Sequence, residues 1–490
     1  MIIDLSPASI ADYRLFKSVK RLPVWTIRGR QAWFPDEYAE SLGFAPTIPP
    51  TAGISLSDSL WDYQRDISRL AIEREKFCCF CDCGLGKTRI MFEFVKHAAM
   101  TDRMLIVSPL MVIRQTLSER DRFCPDLQIE QVAARDLAEW MQHGSRIGIT
   151  NYESIRPELE RGTVGGIVCD ESSCLKSHYG KWGTKLIDLG RGMRWKLCLT
   201  GTPAPNDRIE YANHAVFMDA FPTVNSFLAT YFINRGQTQE RWMLKDHALP
   251  AFYRALSHWA IFLTDPATYG WKDNCETLPP IHVHIEDVPL TSQQTAAIRK
   301  HTGKLFATDI GGIAERGKLS QIAKGNTKDG AISTNKPAYI RDMLKRWREE
   351  STLIWCRYNA EQKSLEHAIP EAASISGDTP NDERQRIIED FKSGRIKTLL
   401  SKPRILGFGL NLQIATRQIF SGISDSYEEY YQAVKRSNRY GSTRPLNVHI
   451  PITEVEEPFV CNVLRKAKMV EADTRTQEKI FREFGHAWKR

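Results

Sequence analysis

The sequence contains no apolar run long enough to cross a bilayer, which takes about 20 consecutive residues, so no membrane span is expected. Its opening residues, Met-Ile-Ile-Asp-Leu-Ser-Pro, lack a basic start followed by an apolar segment, so no secretory signal is expected either. Eleven cysteines are present, an odd number without the spacing of a disulfide framework. Cys78, Cys79, Cys81 and Cys83 crowd together, yet no second ligand pair stands at zinc-finger spacing from them. They read as small buried hydrophobes in a reducing compartment, and the expected location is cytoplasmic. A strong excess of one charge is also missing: 67 Lys and Arg against 59 Asp and Glu leave a net charge of +8. That balance permits a polyanionic partner without requiring one. The rest is ordinary for a globular chain, with 42% hydrophobic and 26% charged residues among 490, a length that suggests about three domains.

One stretch stands out: Cys81-Asp82-Cys83-Gly84-Leu85-Gly86-Lys87-Thr88. It follows the apolar run Phe77-Cys78-Cys79-Phe80 and precedes a helical pattern over residues 89–99. A strand, a glycine-bearing loop and a helix opening on Lys-Thr have the layout of a phosphate-binding loop. Gly84 and Gly86 let backbone N–H groups turn towards an anion, and the helix N-terminus adds a favourable partial charge. Lys87 can reach terminal phosphates, and the Thr88 hydroxyl can ligate Mg²⁺. The common pattern has another glycine where Cys81 stands, so a glycine-rich turn before a buried helix also fits these residues taken alone.

The surrounding chain is organised as follows. Residues 1–50 form an accessory region in which Val24-Trp25-Thr26-Ile27 and Arg30-Gln31-Ala32-Trp33-Phe34 flank Arg28-Gly29, suggesting a hairpin. Its lysines, arginines and tryptophans suit either nucleic-acid contact or packing on the next domain. Residues 47–57 look like a linker, and an α/β pattern runs from there. Gln64 opens a helix and carries an amide able to read both edges of an adenine. Strands then end in Ser108-Pro109-Leu110, in Thr150-Asn151-Tyr152-Glu153, in Asp170-Glu171-Ser172-Ser173 and in Thr200-Gly201-Thr202-Pro203. Polar strand ends are where open parallel sheets bind ligands. Two adjacent carboxylates suit a Mg²⁺–ATP site, Asp170 holding the metal and Glu171 orienting or deprotonating the attacking water. Residues 205–280 read as helical and aromatic, and 303–335 as a glycine-, lysine- and threonine-rich segment. A second α/β unit starts near Pro337 and ends in a helix expected over residues 430–439. It has no Lys-Thr loop of its own.

The order of these motifs resembles a superfamily-two helicase, in particular the Swi/Snf-type translocases, and among them phage and prophage members. The resemblance runs from Gln64 to Arg439. It rests on Gly84-Leu85-Gly86-Lys87-Thr88, Ser108-Pro109-Leu110, Thr150-Asn151-Tyr152-Glu153, Asp170-Glu171, Leu199-Thr200-Gly201-Thr202-Pro203, the stretch Gly407 to Asn411, and Gln432 with Arg436 and Arg439. It implies an α/β fold of two RecA-like lobes with ATP bound between them. The first lobe would span about 51–278 with a helical extension from about 205. The second would span 279–454 with an insertion at about 291–335, followed by a basic helical segment at 455–490.

The resemblance also assigns roles. Lys87, Asp170, Glu171, Arg436 and Arg439 would be catalytic; Gln64, Gly84, Leu85, Gly86, Lys87, Thr88, Gly409 and Gln432 would bind ATP; Thr88 and Asp170 would hold Mg²⁺. Ser108, Thr150, Asn151, Lys402 and Arg404 would touch nucleic acid. The implied partner is DNA, duplex first, with a single strand or fork as alternatives and RNA not excluded. A strand-separating helicase, or the motor subunit of a complex with a nuclease or a replication or recombination protein, are the alternative functions. Two departures stand out: Ser172-Ser173 ends the acidic motif in place of the usual residues, and Lys435 replaces a common glycine. Neither removes a charge the mechanism needs.

Overall fold

In the computed structural model, the described residues are 2–5, 9–22, 25–34, 38–44, 53–160, 162–177, 180–236, 242–274, 278–302, 313–406, 410–439 and 441–484. The chain divides into two compact units, one of residues 1–275 and 472–490, the other of residues 276–471. Among the described residues, no helix is long and apolar enough to cross a membrane.

The first unit begins with a small antiparallel sheet. Strands β1 (Ile2–Asp4) and β2 (Thr26–Arg28) flank β3 (Gln31–Trp33), and the helix Ile10–Val19 packs beside it through Val19 and Leu15. Gly29 turns the β2–β3 hairpin with φ of 59°. The main sheet has seven strands: β4 (Lys76–Cys81), β5 (Met104–Ser108), β6 (Glu130–Gln131), β7 (Ile147–Asn151), β8 (Gly166–Asp170), β9 (Trp195–Leu199) and, beyond the small hairpin β10 (Phe232–Asn234) and β11 (Trp242–Leu244), β12 (Ala260–Leu263). The order is β12-β4-β9-β8-β5-β7-β6, all parallel.

Parallel strands need long crossovers, so helices cover both faces and the strands read as near-continuous apolar runs. The alternation is visible in β4, where Cys78 and Phe80 join one core while Phe77, Cys79 and Cys81 join the other. This explains the cysteine crowding: three of the four thiols fill a strand buried on both faces. Strand β12 lies where the sequence suggested only helix. Its four apolar residues pair with β4, with Cys78 N–H donating to Trp259 O at 2.8 Å and Asp82 N–H to Leu263 O at 2.8 Å. A short buried run has no periodicity of its own to distinguish strand from helix.

The second unit has a six-stranded parallel sheet of β13 (Ile281–Asp287), β16 (Thr352–Trp355), β17 (Ala373–Ile375), β18 (Thr398–Ser401), β19 (Arg417–Phe420) and β20 (Leu446–Ile452), ordered β13-β20-β19-β16-β18-β17. Between β13 and β16 lies an insertion with the helices Ser292–Thr302 and Ile313–Ala323 and the two-residue strands β14 (Asn326–Thr327) and β15 (Gly330–Ala331). The helix expected over residues 430–439 stops earlier, at Tyr427–Val434. Its last carbonyls are taken by buried Gln418, whose Nε2 donates to Ala433 O at 3.0 Å and to Ser437 Oγ at 2.8 Å, while Trp355 Nε1 donates to its Oε1 at 3.0 Å. Arg436 and Arg439 therefore sit on turns rather than on a helix face.

A buried charge cluster ties the insertion to this unit. Lys324, Lys336 and Glu456 are all nearly inaccessible, and both lysine Nζ atoms lie 2.6 Å from the Glu456 carboxylate. Burial alone would raise the Glu456 pKa, but the two lysines outweigh it and hold it down at about 2. Since that value lies below the unfolded one, the stabilisation is present above about pH 4.3 and is lost as the pH falls towards 2. Glu456→Gln should lower stability by about 3–5 kcal/mol because two cations lose their buried counter-charge. Urea unfolding of wild type and variant at pH 7 and at pH 3 checks this, the difference shrinking at the lower pH.

Candidate active site

The edge where β4, β5, β8 and β9 end gathers most of the chemistry of the first unit. β4 leads into a loop in which Gly84 has φ of 88° and Gly86 φ of 66°, so both need glycine. Gly86 caps the helix Lys87–Ala98 in a left-handed conformation, and Lys87 and Thr88 are its first residues. The Lys87 Nζ donates to Cys81 O at 2.9 Å and Asp82 O at 3.2 Å, folding the side chain back over the loop. Burial pulls the Lys87 pKa down, but the fields of Cys83, Glu171, Cys81 and Asp82 outweigh it and leave it raised, so the ammonium stays charged. Gln64 is fully buried against the loop, with Nε2 donating to Leu85 O at 3.3 Å and Oε1 accepting from Trp61 N–H at 3.2 Å. Its amide is thus engaged with backbone, and a Cβ on Gly86 would collide with it.

β8 delivers the acidic pair. Asp170 accepts from Ser108 Oγ at 2.9 Å and from the Glu171 N–H at 3.1 Å, and Tyr152 OH donates to its carbonyl at 2.6 Å. Burial first, then the charge of Glu171, pushes the Asp170 pKa up to about 7, against the pull of Ser108 and Lys87. Glu171 has φ of 51°, uncommon for a residue with a side chain. The loop after β9 closes the site from the side: Gly201 lies against Cys81 O, and a Cβ there would stand 3.4 Å away. Among the sequence-suggested nucleic-acid residues, Ser108 is buried and turned to Asp170, and buried Thr150 donates to Val132 O at 2.9 Å. Asn151 bonds Glu153 at 2.8 Å.

The residues in the second unit are placed as follows. Lys402 and Arg404 line a cavity at the ends of β16, β18 and β19, with Arg357, Tyr358 and Ser424. Arg404 is exposed along most of its length and pairs with Glu429 at 2.7 Å; Lys402 bonds Asn359. Gln432 Nε2 reaches Glu428 at 3.4 Å, Arg436 is buried, and the Arg439 N–H donates to Ser442 Oγ at 3.2 Å. Gly409 lies outside the described residues.

One pair of residues was not singled out in the sequence. Asn213 and His214, on the helix Tyr211–Phe217, hold the 3-10 turn Ser172–Lys176 that follows Glu171. No motif marks them, and only the unusual Ser172 hinted that the acidic motif has a different neighbour here.

A glycine-bearing loop that leads into a helix opening on Lys87-Thr88, in the same parallel sheet as a paired-carboxylate strand end, has the layout of a RecA-like unit, and a second parallel α/β unit follows it in the chain. The chain belongs to the SNF2-related family: the SNF2-related domain matches residues 63–323, and the helicase conserved C-terminal domain matches residues 335–441. Similar proteins include "ATP-dependent helicase fft1" of Schizosaccharomyces pombe (strain 972 / ATCC 24843), 22% identical over 82% of this chain and 51% of its own length. The protein p41 of Acyrthosiphon pisum secondary endosymbiont phage 1 is 24% identical over 79% of this chain and 91% of its own length, in keeping with the phage flavour of the motifs. "DNA annealing helicase and endonuclease ZRANB3" of Mus musculus is 22% identical over 80% of this chain and 38% of its own. The chain spans about half the length of several of the curated relatives it matches. Among solved structures, the Sulfolobus solfataricus SWI2/SNF2 ATPase core in complex with dsDNA is 21% identical and covers 87% of this chain and 97% of that chain, with a TM-score of 0.40.

The raised Asp170 pKa carries a sign. Because it lies above the value of an unfolded aspartate, about 3.9, the folded state loses stability as the pH rises from roughly 4 to 7. Asp170→Asn should flatten this dependence. Thermal denaturation midpoints of the two proteins across that range, without divalent cations, give the comparison.

Proposed function

We propose that the chain is an ATP-driven motor that moves along duplex DNA. The observation that carries this is the pairing of a Lys87 loop with the Asp170-Glu171 strand end inside one RecA-like unit of an SNF2-related chain. Lys87 binds the terminal phosphates, and the backbone N–H groups of residues 84–88 cradle them. The donor set fits a magnesium ion: Thr88 offers a hydroxyl, and the Asp170 carboxylate, whose proton affinity is raised first by burial and then by the neighbouring Glu171, is a place where divalent charge is favourable. Bound there, magnesium would neutralise phosphate charge.

Ser108 acts in this reading through Asp170, holding one carboxylate oxygen. Glu171 accepts a proton from the attacking water, and Arg436 and Arg439 supply positive charge to the transferred phosphoryl group. Gly409 and Gln432 complete nucleotide binding, and Gln64, buried with its amide on Leu85 O and Trp61 N–H, supports the nucleotide through the loop. Lys402 and Arg404, on an open basic cavity of the second unit, contact the nucleic-acid backbone, and in the first unit Asn151 does so, whereas Thr150 is buried with its hydroxyl on Val132 O and is not such a contact. Family membership and the match to a DNA annealing helicase over 80% of this chain, against 36% or less for two RNA helicases, support DNA over RNA.

Glu171→Gln should lower DNA-stimulated turnover by about 10²- to 10⁴-fold, and Lys87→Ala by at least about a hundredfold. Steady-state ATPase assays with duplex, single-stranded and forked DNA and with RNA measure both. Displacement of a triplex-forming strand beside a labelled fork tests the motion itself. Unwinding of the fork without triplex displacement would replace the translocase by a strand-separating helicase, and stimulation by RNA alone would remove DNA as the track.

A further inference from the structure

Glu171 keeps a left-handed backbone, with φ of 51° and ψ of 55°, that a residue with a Cβ adopts only when its surroundings hold it there. The constraint lies on its C-terminal side. Ser172 is fully buried, and its Oγ lies 3.1 Å from Nε2 of His214. The neighbouring Asn213 donates from Nδ2 to Leu175 O at 2.8 Å and to Ser177 O at 2.6 Å. Two consecutive side chains on one helix thus hold both ends of the 3-10 turn that begins one residue after Glu171.

Their helix is itself fixed. Asp207 caps the turn leading into it, Asn206 Nδ2 bonds Glu210 at 2.9 Å, and the segment continues directly from Thr200-Gly201-Thr202-Pro203. His214 is fully buried, with its ring at a right angle to Phe80 of β4 at 5.3 Å. Gly183 leaves the room that Asn213 occupies, because a Cβ there would meet its amide. One imidazole therefore touches the strand that enters the phosphate loop and the turn that leaves the acidic pair.

We infer that His214 is a positioning residue for ATP hydrolysis: through Ser172 it fixes the backbone that aims the Glu171 carboxylate, and Asn213 holds the far end of the same turn. This rests on the role of Glu171 proposed above. His214 is fully buried and offers no surface to a nucleotide. Its removal should therefore lower turnover while leaving nucleotide affinity intact, since displacement of a catalytic group by about 1 Å can cost 10²-fold.

The test uses the full chain with saturating duplex DNA. His214→Leu and Ser172→Ala should each lower kcat by roughly ten- to a hundredfold with KM for ATP and Kd for ADP unchanged. Their combination should be no worse than either alone. His214→Gln, which keeps a hydrogen-bonding group at similar reach, should recover most of the rate. Added to Glu171→Gln, His214→Leu should cost nothing more. A kcat within twofold of wild type in Ser172→Ala, additive losses in the double variant, or equal losses of kcat and ADP affinity would overturn the inference. Ser172→Ala deletes one oxygen, so it decides the question even where His214→Leu does not fold. Full turnover in Glu171→Gln would instead remove the underlying reading, whereas an inactive Glu171→Gln beside wild-type His214→Leu and Ser172→Ala would remove only this one.

Discussion

The first unit is organised around keeping two adjacent carboxylates at the end of one buried strand. Asp170 and Glu171 repel each other, and removal from water makes the repulsion stronger. Several elements share the task of tolerating it. Ser108 and the Glu171 amide donate to Asp170, and Lys87 contributes its positive field. These contributions come from β5, β8 and the helix after β4, which is why strand order matters more to the site than any single residue. A parallel sheet brings those ends to one edge because every crossover returns the chain to the same side.

The second unit handles buried charge differently. Lys324 and Lys336 are paired with Glu456 and also held by Ser320, Ser421 O and the field of Glu361, while Gln418 serves helix carbonyls with neutral groups. Arg404 remains on the outside, paired with Glu429. Cations that a polyanion could reach are thus kept apart from cations used to hold the fold.

Much of this was legible in the chain itself. Two parallel α/β units follow from apolar runs ending in polar residues, because a strand covered on both faces tolerates few polar side chains until its end. Lys87, Asp170 and Glu171 could be named because phosphate and metal chemistry need fixed residue types at fixed spacings. β12 could not be recognised, since a four-residue apolar run acquires its identity only from the strand beside it. The end of the helix at Val434 was hidden for a related reason: the group that takes its carbonyls, Gln418, comes from the preceding strand and not from the helix itself. The engaged amide of Gln64, the inward-turned hydroxyls of Ser108 and Thr150, and the His214 contact all depend on partners far away in sequence.

The charge cluster around Glu456 bears on how such a chain can be cut and recombined. Lys324 belongs to the insertion, Lys336 opens the segment that leads to β16, and Glu456 precedes the C-terminal helix. An insertion held only by apolar contact could be exchanged for another of similar bulk. This one contributes one pole of a buried ion set, so a chimera that swaps residues 291–335 inherits a charge mismatch at Glu456 unless the incoming piece brings its own cation to the same place. Variation in the insertion is therefore coupled to a position more than a hundred residues downstream, and the two must change together.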